Sequence, residues 1–116
     1  MANTFKNKTN AAMPASAGTP LTIYTCPSST QTIIVGLLLC NVHTASVTAS
    51  VNMQSDTSDT ETNENVKLIS TVTIPANSTL EVLTGGKIVM GATDVLQIDC
   101  SVAAKLDATL SILEIT

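Results

Sequence analysis

The sequence predicts an all-β fold: a single antiparallel β-sandwich, jelly-roll or Greek-key-like, of about eight short strands behind an extended N-terminal arm. Three observations carry this. From Leu21 onward apolar residues recur with a period of two, and no stretch carries the 3.6-residue period of a helix. Turn-forming clusters such as Pro27-Ser28-Ser29, Pro75-Ala76-Asn77-Ser78, Gly85-Gly86 and Gly91-Ala92-Thr93-Asp94 separate the alternating runs. At 116 residues the chain holds one domain and a short tail, and its core must be aliphatic: 44% of residues are hydrophobic, whereas 2% are aromatic, Phe5 and Tyr24 alone.

The elements follow in order. Residues 1–20, rich in Asn, Ala, Ser, Thr, Gly and Pro, show no period and read as an arm, with Phe5 between Lys6, Lys8 and polar neighbours as its apolar anchor; residues 21–116 form the sandwich. Leu21–Cys26 alternates and stops at Pro27. Gln31–Val42 is apolar on both faces, with Ile33, Val35, Leu37 and Leu39 on one and Ile34, Leu38, Cys40 and Val42 on the other. Gly36 within it suggests a bulge or a close backbone approach. Ser46–Met53 points Val47, Ala49, Val51 and Met53 inward. A polar, acidic loop over 54–65 joins it to Val66–Ile74 as a hairpin. Leu80–Leu83 and Lys87–Met90 read as a second hairpin around Gly85-Gly86. Leu96, Ile98, Cys100 and Val102 alternate again, and Asp107–Ile115 is the last strand.

One sandwich core hides one face of each strand, so the doubly apolar strands leave surplus surface. A homotrimer is expected to cover it, with Ile34, Leu38, Leu113 and Ile115 in the interface.

Sites of chemistry are sparse in the sequence. A formal charge of −4, five lysines and no arginine lack the basic footprint of nucleic-acid binding, and two aromatics provide no stacking platform. The longest apolar run, Ile33–Cys40, is far short of the ~20 residues that cross a bilayer, so no membrane partner is expected. Cys26, Cys40 and Cys100 have no metal-ligand spacing and read as small buried thiols. His43, the single histidine, falls in an expected turn without a nucleophile or carboxylate beside it. Gly85-Gly86-Lys87 lacks the GxxxxGK[ST] pattern of a phosphate loop. Asp56, Asp59, Glu61 and Glu64 miss the spacing of a calcium loop and read as a solvated face that keeps neighbouring surfaces mutually repelling. A non-enzymatic protein with no catalytic residue, no metal and no cofactor is therefore expected.

The segments Leu21-Thr22-Ile23-Tyr24-Thr25-Cys26-Pro27 and Ile33-Ile34-Val35-Gly36-Leu37-Leu38-Leu39-Cys40-Asn41 come first in a wider pattern. It continues with Ile74-Pro75-Ala76-Asn77-Ser78, Glu81-Val82-Leu83, Gly85-Gly86-Lys87-Ile88-Val89-Met90 and Asp94-Val95-Leu96-Gln97-Ile98. Across most of residues 21–116 the chain resembles the small virion proteins of tailed phages, particularly those infecting marine bacteria and cyanobacteria. That resemblance implies a structural component of the virion assembled in the host cytoplasm: a capsid decoration (cement) protein bound to the major capsid protein, or a neck, tail or baseplate part. A receptor-binding module is a further alternative. For a cement protein it implies an arm laid along the shell, with Phe5, Lys6 and Lys8 against the capsid protein and the sandwiches trimerised above.

Overall fold

The computed structural model describes residues 2–55 and 63–116, and these form an antiparallel sandwich of nine strands. They are β1 (Asn3–Met13), β2 (Leu21–Thr25), β3 (Gln31–Asn41), β4 (Val47–Gln54), β5 (Val66–Ile74), β6 (Thr79–Glu81), β7 (Ile88–Met90), β8 (Val95–Cys100) and β9 (Leu106–Ile115). Sheet I has the order β1-β9-β3-β6, with β7 also on β3; sheet II has the order β2-β8-β4-β5. At each position the strand in one sheet has its sequence neighbour at the same place in the other: β1 with β2, β9 with β8, β3 with β4, β6 with β5. This is jelly-roll order, in which a long folded ribbon of chain rolls up so that its two halves become two sheets.

The core between the sheets is aliphatic, as the composition requires. Sheet I contributes Ile34, Leu37, Leu39, Leu106, Ala108, Leu110 and Ile112, and sheet II contributes Val47, Ala49, Val51, Met53, Leu96, Ile98 and Cys100, all buried. The period-two alternation of β4 and β8 thus marks their inner faces directly.

Three features depart from the sequence reading. Residues 3–13 are not a separate arm: they pair antiparallel with β9 from Asn3–Ile115 to Met13–Leu106, and Met13 enters the core. A strand of mostly polar residues at a sheet edge has little apolar alternation to show, because most of its side chains meet water on both faces. Next, β6 and β7 do not form a hairpin. Each pairs with β3, β6 against Leu38–Cys40 and β7 against Thr32–Ile34, so they lie at two ends of the same edge. Finally, β3 changes phase. Ile34 pairs with Ile112 while Gly36 pairs with Ser111, which makes Val35 the extra residue of a bulge at the glycine. Thr32 and Ile34 point inward before the bulge, and Leu37, Leu39 and Asn41 after it. Ile34, expected in an oligomer interface, is fully buried inside the sandwich instead.

Asn41 closes the far end of β3. Fully buried, its side-chain amide donates to the carbonyls of Ala45, Ile74 and Pro75, and its Oδ1 accepts from the backbone N–H of His43. It ties the β3–β4 turn to the β5–β6 turn with one side chain. Replacing it by alanine strands several buried polar groups and is expected to cost about 3 kcal/mol. Urea unfolding of Asn41→Ala should show a lower midpoint at unchanged slope; a midpoint equal to wild type would show that water replaces these bonds at no cost.

Candidate functional site: the outer face of sheet I

The outer face of sheet I is built by strand register. Phe5 of β1 lies opposite Leu113 of β9, Leu113 opposite Ile33 of β3, and Ile33 opposite Val89 of β7. Directly opposed residues point to the same side of a sheet, so the four form a continuous apolar ridge across four strands. Leu113 must face outward, because its neighbours Ile112 and Glu114 are both buried on the inner side. Phe5 is 77% exposed and Val89 64% at the two ends, whereas Leu113 and Ile33 between them are half-buried by their neighbours. Ile115 lies beside the ridge on β9, and Val35 and Leu38 are exposed further along β3. Leu38, Leu113 and Ile115, expected from the sequence in an oligomer interface, lie on this outer face.

In the rows beside the ridge no side chain of β1, β9 or β3 is charged, whereas Glu81 of β6, opposite Leu38, and Asp107 of β9, opposite Cys40, bring charge to the far end of the face. The row on one side of the ridge is Asn3, Ile115 and Gln31; those on the other are Asn7, Ser111 and Gly36, then Thr9, Thr109 and Leu38. The outer face of sheet II contrasts with it. There Thr22, Gln97, Asn52 and Lys67 stand in one row, linked by bonds from Gln97 Nε2 to Thr22 Oγ1 (3.2 Å) and from Lys67 Nζ to Asn52 Oδ1 (3.1 Å). A shallow cleft lined by Asn52, Gln54, Asn65, Val66, Lys67 and Gln97 lies on it.

The ridge depends on where β1 sits, and a polar network beneath it fixes that position. Glu114 points inward from β9 and is almost fully buried. Its Oε1 accepts from Lys6 Nζ of β1 at 2.8 Å, and its Oε2 accepts from the Tyr24 hydroxyl of β2 at 2.6 Å. With its proton committed to Glu114, the Tyr24 oxygen accepts from the Thr32 hydroxyl of β3 at 2.8 Å. The Cys26 thiol lies 3.3 Å from the same hydroxyl. Strands of both sheets therefore converge on one carboxylate. The hydrogen bond from Lys6, then that from Tyr24, holds the Glu114 carboxyl below its ordinary pKa, with the Lys6 and Lys8 charges adding to the effect. Burial, followed by the hydrogen bond to Glu114, pushes the Tyr24 phenol up, and burial pushes up the Cys26 thiol.

Lys6 and Lys8 therefore point to the inner side of β1 and Phe5 to the outer side, so the three do not share one contact surface. The network itself was not found in the sequence. Glu114 belongs to no motif, and its position on the inner side of β9, opposite the buried Thr32, follows only from strand register. Among the other candidates, Cys26 and Cys100 are buried and Cys40 is half-buried on the outer face of β3. His43 lies half-buried in the β3–β4 turn. Asp56, Asp59 and Glu61 fall outside the described residues, and Glu64 is exposed. Among the described residues no group of three His, Cys, Asp or Glu side chains gathers around a common point. Comparison with protein-family models, with curated proteins and with solved structures found no match.

Because folding lowers the pKa of Glu114, its contribution to stability is complete above the ordinary glutamate value of about 4.3 and is lost as pH falls through the lower, folded value. Wild type should therefore lose stability faster than Glu114→Gln as pH is lowered from about 5 toward 2. Parallel urea-unfolding curves for the two proteins across that window would show that Glu114 is not linked to folding.

Proposed function

We propose that this chain is a structural protein of a virion, a capsid decoration protein that binds the major capsid protein and reinforces the shell by burying surface. The observation that carries this reading is the uncharged apolar ridge on sheet I, held on rigid strands by the Glu114 network. A rigid, exposed apolar surface gains free energy when it is covered, at ~25 cal/mol per Å² of apolar area, with little entropy left to lose. That is the physical requirement of a cement protein. The resemblance of residues 21–116 to small phage virion proteins supplies the setting. In this reading β1 is a docked strand instead of a free arm. Its solvent-facing edge and Lys8 are left to meet the shell, while Lys6 is engaged with Glu114.

Quantitative mass spectrometry of purified particles from a culture carrying the gene tests the assignment. A copy number comparable to that of the major capsid protein is expected. A ring's worth of copies would assign the chain to the neck, tail or baseplate, and its absence from washed particles would overturn a virion role.

A further inference from the structure

The ridge has a groove beside it. Along each strand the next outward-facing residues are Asn7 on β1, Ser111 on β9 and Gly36 on β3, which form one cross-strand row. Ser111 and Gly36 leave that row low. A side chain built onto Gly36 would meet nothing within 4 Å, so the space above it is open. Val35, the extra residue of the bulge, is exposed next to Gly36. Ridge and groove run parallel, about 7 Å apart, the spacing of same-face neighbours along a strand.

We propose that the outer face of sheet I seats a second copy of this chain around a twofold axis, the ridge of each copy lying in the groove of the other. This inference rests on the structural role above: the ridge holds two copies together, and the edge of β1 with Lys8 is left to meet the shell. Self-complementarity is the property an isologous contact needs, since whatever the first copy offers the second must receive, and the reverse. A ridge beside its own negative meets that requirement on one face. A threefold ring would instead require two different patches. The twofold pair therefore takes the place of the trimer expected from the sequence.

Size and charge agree. A patch four strands wide and eight residues long covers roughly 500 Å² in projection, and its corrugation brings the accessible area to the ~600 Å² per partner at which specific interfaces begin. Each copy carries a net charge of −4, yet none of the outward residues of β1, β9 and β3 in the ridge and the rows beside it is charged. Glu81 of β6, opposite Leu38, and Asp107 of β9, opposite Cys40, bring charge to the far end of this face, so it is the ridge and its neighbouring groove that close without desolvating an ion. The repulsion remaining between the two copies is long-range, so salt should strengthen the pairing by screening it. A basic partner on this acidic chain would show the opposite dependence.

Sedimentation equilibrium of the full chain, at low and high salt, is the test. A particle of twice the 12.0 kDa chain mass is expected, tighter at high salt. Phe5→Asp places a charge in the ridge and Gly36→Leu fills the groove. Phe5 is exposed and Gly36 has a backbone open to any residue, so both variants should keep the wild-type circular dichroism. Each should weaken pairing by roughly 30-fold or more, the effect of losing a hot-spot anchor. Val66→Asp, at an exposed position on sheet II, should pair like wild type. A monomer, a trimer, or a pair that tolerates Gly36→Leu would overturn the ridge-in-groove contact. These outcomes are independent of particle composition: a chain abundant in virions but monomeric in solution would refute the pairing alone, and a pair absent from virions would refute the virion role alone.

Discussion

One buried carboxylate sets the terms for the rest of the molecule. Glu114 lies on the inner face of β9, where the other side chains are aliphatic, and its two oxygens are satisfied by a lysine from the edge strand and a tyrosine from the opposite sheet. The carboxylate keeps its charge in this covered position because both partners bind it, and at the Lys6 end, where the ammonium is half-exposed, water shares in balancing that charge. The constraint works in both directions. Tyr24 and Thr32 gain an acceptor and an orientation, and β1 gains its ion pair to the body of the fold. Without Lys6 in that position, β1 would depend on its backbone ladder to β9, the backbone N–H of Ala12 bonded to Asp107, and Met13 in the core.

A second constraint is the bulge at Gly36. One extra residue in β3 reverses the facing of every residue after it relative to strict alternation. Without it, Ile34 and Leu37 could not both point inward, and the two halves of β3 could not both contribute to the core. The same extra residue leaves Val35 and a bare glycine on the outer face beside the ridge. Core packing and surface relief therefore have a common cause in the backbone.

The sheet-forming pattern, the aliphatic core of β4 and β8, the long hairpin between β4 and β5, and the bulge at Gly36 were all legible in the sequence, because each follows from period-two alternation or from a residue with a special backbone. What was not legible depended on pairing. The edge strand β1 has no apolar face, so its strand character exists only through β9. The collinear β6 and β7 read as a hairpin because Gly85-Gly86 is turn chemistry in any context, and nothing local shows that both segments seek β3. Ile34 was placed on the outside because a strict count cannot see the register shift two residues later. Leu38, Leu113 and Ile115, surplus apolar residues on doubly apolar strands, lie on the outer face of sheet I. Phe5 and Val89, the exposed ends of the ridge, become its members only through register.

The edge of sheet I explains why the free surface is a face. An eleven-residue edge strand presents unpaired N–H and C=O groups that could template another strand. Here β1 turns Lys6 and Lys8 toward the inner side of that edge, with Lys6 held on Glu114. A strand added beside β1 would bring its own inward side chains against both ammonium groups and strip water from Lys8, a cost that rises with every residue of register gained. Growth along the sheet is opposed in this way, while the outward side of the same strand carries Phe5 and no charge. A chain that discourages pairing at its edge and leaves an uncharged apolar ridge on its face favours the sheet-against-sheet geometry of the proposed pair over growth along the sheet. The lysine that guards the edge also positions the phenylalanine, since the two are neighbours on a strand whose alternation sends one inward and the other out.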